Sequence, residues 1–107
     1  MSKNVFQDLG FSEEEAAGLK LKSYLFMALQ EVIRQSGMTQ KDVAATIGAD
    51  QPKVSKILKG SFTEFSIERI TDYLQKLGYD IHISTVPCPK SRPVGTVVMD
   101  KRVAAKA

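Results

Sequence analysis

The chain has 107 residues, of which 43% are hydrophobic and 25% are charged, and it carries a formal net charge of +3. This balance is typical of one small globular domain and excludes a disordered chain. The single cysteine excludes an internal disulfide, and no apolar run approaches the roughly 20 residues that span a bilayer. No signal peptide is recognisable either, so we expect a cytoplasmic protein that does not bind a membrane.

Residue types that carry catalysis are scarce. There is one histidine, His82, and one cysteine, Cys88, and the sequence has no Gly-rich phosphate loop, no pair of histidine ligands and no nucleophile elbow. We expect His82 to be an exposed or hydrogen-bonded strand residue and Cys88 to be an incidental exposed thiol. The composition therefore predicts no enzyme activity, no cofactor and no metal site.

A long helix and two short helices are predicted first. Ser12 and Glu15 have the spacing of a capping box, and the helix that they begin runs to Ser36. Its apolar stripe should face the core and consists of Leu21, Leu25, Ala28, Leu29, Val32 and Ile33. Two short helices follow, the first starting at Thr39 and ending at Gly48 and the second spanning 50–60; their inward residues are Val43, Ala44, Ile47, Val54, Ile57 and Leu58.

The pattern changes after a fourth helix. Phe62 and Phe65 are predicted core anchors, Ser66 caps the fourth helix, and Gly78 ends it. Residues 79–86 then alternate as a half-buried strand does, with one face formed by Tyr79, Ile81, Ile83 and Thr85. Residues 94–99 are predicted to return as the second strand of a loose hairpin. We expect a helix-turn-helix domain over 1–86, and a short strand with a flexible basic tail over 87–107.

The two short helices have the spacing of a helix-turn-helix motif. Counting from Gln40 as position one, small Ala44 stands at five and Gly48 at nine, and apolar residues stand at four, eight, ten, fifteen and eighteen. The side of the second helix opposite Val54 and Ile57 is polar and basic. Residues 37–60 carry four lysines against two aspartates. This surface predicts DNA contacts by Thr39, Gln40, Gln51, Pro52, Lys53, Ser55, Lys56 and Lys59.

The stretch TQKDVAATIGADQPKVSKILKG resembles the helix-turn-helix of the XRE/Cro family, which includes lambda repressor. The resemblance implies a mainly α, lambda-repressor-like bundle of about five helices with a C-terminal β-strand or hairpin used for dimerisation. It also implies that Gln40 contacts phosphate and braces Gln51, which reads adenine. Pro52, Lys53, Ser55 and Lys56 differ from the lambda residues, so the full base code does not carry over.

A narrower resemblance covers most of residues 4–86 and concerns HigA-like antitoxins; it rests on NVFQDLG, DQPKVSKILKG, FSIERI and LGYDIHI. It implies a dimer that represses its own promoter, and it leaves open whether a RelE-like toxin is a partner. A homodimer would in turn require a near-palindromic operator, and DNA binding would make the cytoplasmic protein nucleoid-associated. Independently, the strand could pair with a second copy or pack on its own helices. The alternative function is a protein-interaction module, or an antitoxin that neutralises a toxin without reading DNA.

The basic tail has two open interpretations. The segment after Pro87 carries five Lys or Arg residues against Asp100 alone. These residues either add non-specific attraction to phosphates or keep a flexible end in solution.

Overall fold

The computed structural model of the chain describes residues 13–100. This part contains four α-helices and one short 3-10 helix and has no β-strand: α1 (Glu13–Ser36), α2 (Gln40–Ile47), α3 (Gln51–Lys59), the 3-10 helix (Phe62–Glu64) and α4 (Ile67–Lys76). The predicted mainly α class is confirmed, with four α-helices in this range against about five expected. The predicted Ser12–Glu15 capping box and the last seven residues lie outside what the structure describes.

Local hydrogen bonds set the helix starts where the sequence predicted them. The Thr39 hydroxyl accepts from the Asp42 N–H at 3.1 Å, and the Asp50 carboxylate accepts from the Lys53 N–H at 2.9 Å. Ser66 caps α4 in the same way, through the N–H of Arg69 at 3.0 Å. Each of these bonds satisfies one of the N–H groups that a helix start leaves without an intrahelical partner.

The described residues divide into two compact units, one of them Lys22–His82. The core of this unit draws on all four α-helices and on the 3-10 segment. Phe26 is buried in it, with ring centroids 6.1 Å from Phe62 and 5.8 Å from Phe65. Both predicted anchors are therefore confirmed. The buried residues of this core are Phe26, Leu29, Ile33, Val43, Ala44, Ile47, Val54, Ile57, Phe65, Ile70, Tyr73 and Leu74.

The apolar stripe of α1 is confirmed only in its second half. Leu29 and Ile33 are buried and Leu25 packs beside them, but Leu21 is exposed. Phe26, which the predicted stripe omitted, is buried. The innermost line runs from Phe26 to Leu29 and Ile33, at steps of three and four residues, so the helix presents a slightly rotated face to the core.

The described part of the second unit comprises residues 13–21 and 83–100. Within its described residues, Lys20 donates a hydrogen bond of 2.9 Å to the hydroxyl of Thr96, and the Arg92 N–H closes a turn on the Pro89 carbonyl at 3.0 Å. The predicted return strand over 94–99 is wrong for this structure, because these residues form no strand ladder. Prolines at 87, 89 and 93 interrupt hydrogen-bond donation along the approach to it.

The predicted strand over 79–86 also forms no ladder in the single chain. The side-chain alternation is nevertheless present at its start, where Tyr79 and Ile81 are half-buried and Asp80 and His82 are exposed. A strand needs a neighbour to complete its backbone hydrogen bonds, and within the described residues no segment pairs with this one.

Candidate nucleic-acid interface

The turn between α2 and α3 is stabilised by a glycine with positive φ and by a carbonyl that accepts two hydrogen bonds. Gly48 ends α2 with φ of 75°, in the left-handed region that glycine reaches without a Cβ clash. Its N–H and that of Ala49 both bond to the carbonyl of Ala44, the latter at 2.9 Å. Asp50 then caps α3 immediately. The chain therefore passes from one helix to the next in three residues.

The inner side of the motif is packed tightly. Val43 is 0% exposed and Ile47 is 1% exposed, and they share the core with Val54 and Ile57, both 0% exposed. Ala44, whose small size the motif predicts, is buried as well. Because these residues lie in one cluster, the orientation of α3 relative to α2 is set by close packing.

The structure brings the predicted DNA-contact residues to the surface of the motif. All of them are exposed except Ser55, which is half-buried; the exposed residues are Thr39, Gln40, Gln51, Pro52, Lys53, Lys56 and Lys59. Pro52 lies in the first turn of α3, where its missing N–H leaves no bond unmade. The hydroxyl of Thr39 is already engaged in the cap of α2.

Two contacts of α3 were not predicted from the sequence. Lys56 forms an ion pair with Glu64, with 3.1 Å between Nζ and Oε1. Gln30, in α1, donates a hydrogen bond of 2.8 Å to the carbonyl of Ile57 in α3. Neither pair lies within one helix, so no helical spacing indicates it; only the packing of the elements does.

The bracing of Gln51 by Gln40 that the resemblance implies is not formed here. Within residues 13–100, the hydrogen bonds do not include one between these two side chains. Both amides are exposed at the first positions of α2 and α3.

An open cleft of about 570 Å³ lies beside the motif turn. Its charged lining combines both signs, from Asp50, Lys53, Glu64 and Arg69. Asp50 is occupied as a cap and Glu64 is paired with Lys56. In the part of the chain that the structure describes, no group of three His, Cys, Asp or Glu side chains could hold a metal ion.

The four residues predicted for a dimer interface have different environments. Tyr79 and Ile81 are half-buried, and Ile81 packs against the core of the Lys22–His82 unit. Ile83 and Thr85 are exposed, Ile83 to 85%.

Among the described helices, none is long and apolar enough to cross a bilayer.

Comparison with known proteins also identifies a helix-turn-helix domain. The model of a family described as a helix-turn-helix domain matches residues 5–85. A solved structure that carries the name XRE family transcriptional regulator has a TM-score of 0.71 and 32% sequence identity, and the match covers 79% of this chain and 96% of that one. No curated protein matches the chain. The chain thus belongs to the XRE family of helix-turn-helix transcriptional regulators.

Proposed function

We propose that this regulator reads its operator by inserting α3 into the major groove. The observation that carries the proposal is the division of α3 into two sides. Val54 and Ile57 are 0% exposed, whereas Gln51, Lys53 and Lys56 are exposed on the same nine-residue helix. A major groove about 12 Å wide admits one α-helix, and a recognition helix contacts base edges with its N-terminal residues.

The residue types on this side suit base and phosphate contacts. The Gln51 amide can bond both N6 and N7 of adenine, and a lysine ammonium can bond guanine O6 and N7 or a phosphate. Pro52 offers no polar side chain, so it serves shape rather than base reading. Thr39 and Gln40, which are exposed at the start of α2, are the residues that we propose to contact phosphates.

We further propose a homodimer that binds a near-palindromic operator. The support is the segment 79–86, which pairs with no other segment of the described chain. It also leaves an apolar side chain, Ile83, 85% exposed. Pairing this strand with the same strand of a second copy would satisfy its backbone groups by two-fold symmetry. Two recognition helices would then lie about 34 Å apart, the length of one turn of DNA.

Repression of its own promoter and antitoxin activity rest on the resemblance to HigA-like proteins alone. A neighbouring reading frame that encodes a basic, RelE-like protein would support a toxin partner, and its absence would leave a solitary regulator. An interaction module without DNA reading remains the competing function. The salt dependence of DNA binding distinguishes the two functions. Contacts to phosphates release counterions, so the DNA affinity of a regulator falls steeply with salt, whereas an interaction module shows no such fall.

The direct test combines Gln51→Ala with Lys56→Ala. We expect the double variant to weaken binding to DNA fragments co-purified from genomic DNA by several kcal/mol, since each base contact contributes ~1–3 kcal/mol. Mobility-shift titration measures the loss, and circular dichroism confirms the helical fold. The matched control is Gln75→Ala with Arg34→Ala, which removes one exposed amide and one exposed cation outside both the motif and the basic tail. Unchanged affinity in the first variant would show that α3 does not enter the groove.

A further inference from the structure

A carboxylate lies on the surface that we assign to DNA. Glu64 ends the 3-10 helix after α3, and its Oε1 atom is 3.1 Å from the Nζ atom of Lys56. Both side chains are about half exposed, at 50% and 52%. The pair is therefore open to solvent, to salt and to an approaching phosphate.

The backbone that carries Glu64 is anchored on both sides. Its N–H bonds to the Ser61 carbonyl at 3.2 Å, and the N–H of Phe65 bonds to the Phe62 carbonyl at 3.2 Å. Phe62 and Phe65 both contact the ring of Phe26 in the core. Glu64 is consequently held next to the exposed side of α3 by packing, and its carboxylate accompanies this surface to the DNA.

The pair affects phosphate contacts and base contacts differently. A phosphate that binds Lys56 comes within a Debye length, about 8 Å, of the Glu64 carboxylate and is repelled by it. Guanine O6 and N7 are neutral acceptors and meet no such repulsion. Because an ammonium has three N–H donors, Lys56 can bond a base edge and keep Glu64 as its partner.

We propose that Glu64 is a specificity-determining residue, which withholds Lys56 from phosphates on arbitrary DNA and leaves it available to base edges in the operator. This inference rests on the proposed function, since it requires that α3 faces DNA. Its consequence is a larger ratio of operator affinity to non-specific affinity than the same surface would have without the carboxylate.

The test is Glu64→Gln in the full chain, with binding to a selected operator fragment and to a random-sequence duplex of equal length between 50 and 200 mM salt. We expect the non-specific association constant at low salt to rise about 3–10-fold, and the slope of log K against log salt to steepen by about 0.9, the value for one additional phosphate. Operator affinity should change less than about twofold, so the specificity ratio falls.

Two controls isolate the pair. Glu68→Gln makes the same change in net charge at an exposed position in the first turn of α4 and should leave the slope unaltered. In a Lys56→Ala background, Glu64→Gln should have no effect, because the cation that it releases is gone. A Glu64→Gln variant with an unchanged slope and ratio, or one that Glu68→Gln reproduces, would overturn the inference.

Failure of the proposed function gives a different result. If α3 does not face DNA, the wild-type chain lacks a steep salt dependence and the Gln51→Ala, Lys56→Ala variant binds like wild type. If only the role of Glu64 is wrong, wild type still shows a steep salt dependence and the Gln51→Ala, Lys56→Ala variant still binds more weakly. Glu64→Gln then changes neither the slope nor the specificity ratio.

Discussion

The side-chain amide of Gln30 donates a hydrogen bond of 2.8 Å to the carbonyl of Ile57, and so joins α1 to the last turn of α3. The same carbonyl also accepts from the N–H of Gly60 at 3.1 Å. Carbonyls near the C-terminal end of a helix lack the usual intrahelical partner. The Ile57 carbonyl thus accepts one bond from the Gly60 cap and a second from Gln30, and the second ties the end of α3 to α1.

Replacing Gln30 with alanine removes this bond. We expect Gln30→Ala to lower the free energy of unfolding by about 1 kcal/mol, the usual net contribution of one hydrogen bond, and to weaken DNA binding through a less constrained α3. Urea denaturation and mobility shift measure the two effects. Gln35→Ala on the same helix is the control, because Gln35 bonds only to exposed Glu31. Equal stability for the two variants would contradict the role of Gln30.

Gly48 and Gly18 should respond to alanine in opposite directions. Gly48 has φ of 75°, where an L-residue costs about 1–2 kcal/mol, so Gly48→Ala should destabilise the domain by this amount. The added Cβ itself meets no closer atom than Lys76 Nζ at 3.6 Å, so backbone strain is the cause. Gly18 lies inside α1, and among the described residues an added Cβ would meet no atom within 4 Å. Gly18→Ala should therefore stabilise the domain by up to about 1 kcal/mol. Thermal unfolding measures both, and a lower melting temperature for both variants would contradict the argument.

The cap of α3 should tolerate an amide and not a methyl group. Asp50→Ala removes the acceptor for the Lys53 N–H and should cost about 1 kcal/mol, whereas Asp50→Asn keeps an oxygen acceptor and should stay within about 0.5 kcal/mol of wild type. Chemical denaturation gives both values. Asp80→Ala, at an exposed position outside the helices, is the control for loss of a carboxylate alone. Similar losses in Asp50→Ala and Asp80→Ala would mean that the cap adds nothing.

The dimer proposal predicts that a charge at Ile83 separates the two copies. Ile83 is 85% exposed in the single chain, so Ile83→Asp should leave the fold of the domain intact while it places a charge in the apolar face of the paired strands. Light scattering after size exclusion measures the molar mass, and mobility shift measures the accompanying loss of operator affinity. Ser84→Asp places the same charge on the opposite face. A wild-type chain that is monomeric at micromolar concentration would end the proposal.

The helix boundaries of the motif could be predicted because their causes are local. Thr39, Asp50 and Ser66 each cap a helix through an N–H three residues ahead, and Gly48 supplies a backbone conformation that its own lack of a Cβ permits. The buried positions of α2 and α3 follow from the period of one helix. These features need no information from distant parts of the chain.

The rotation of α1 and the pairing of residues 79–86 depend instead on contacts between segments that are distant in the sequence. The Phe26 position was missed because helical periodicity leaves the rotation of α1 uncertain by one residue, and the aromatic cluster with Phe62 and Phe65 decides it. Residues 79–86 have the alternating side-chain pattern of a strand but no paired neighbour within the described chain. The pattern is a property of one segment, whereas a ladder of backbone hydrogen bonds needs two.

The sequence by itself determined that two short capped helices are joined by a glycine turn and that one of them carries an exposed, basic side. The tertiary structure alone decided that Gln30 bonds to the end of α3 and that Glu64 forms an ion pair with Lys56. The physical reason is that caps and turns act over three or four residues of one chain segment, whereas these two contacts join separate elements that only the packing of the core brings together.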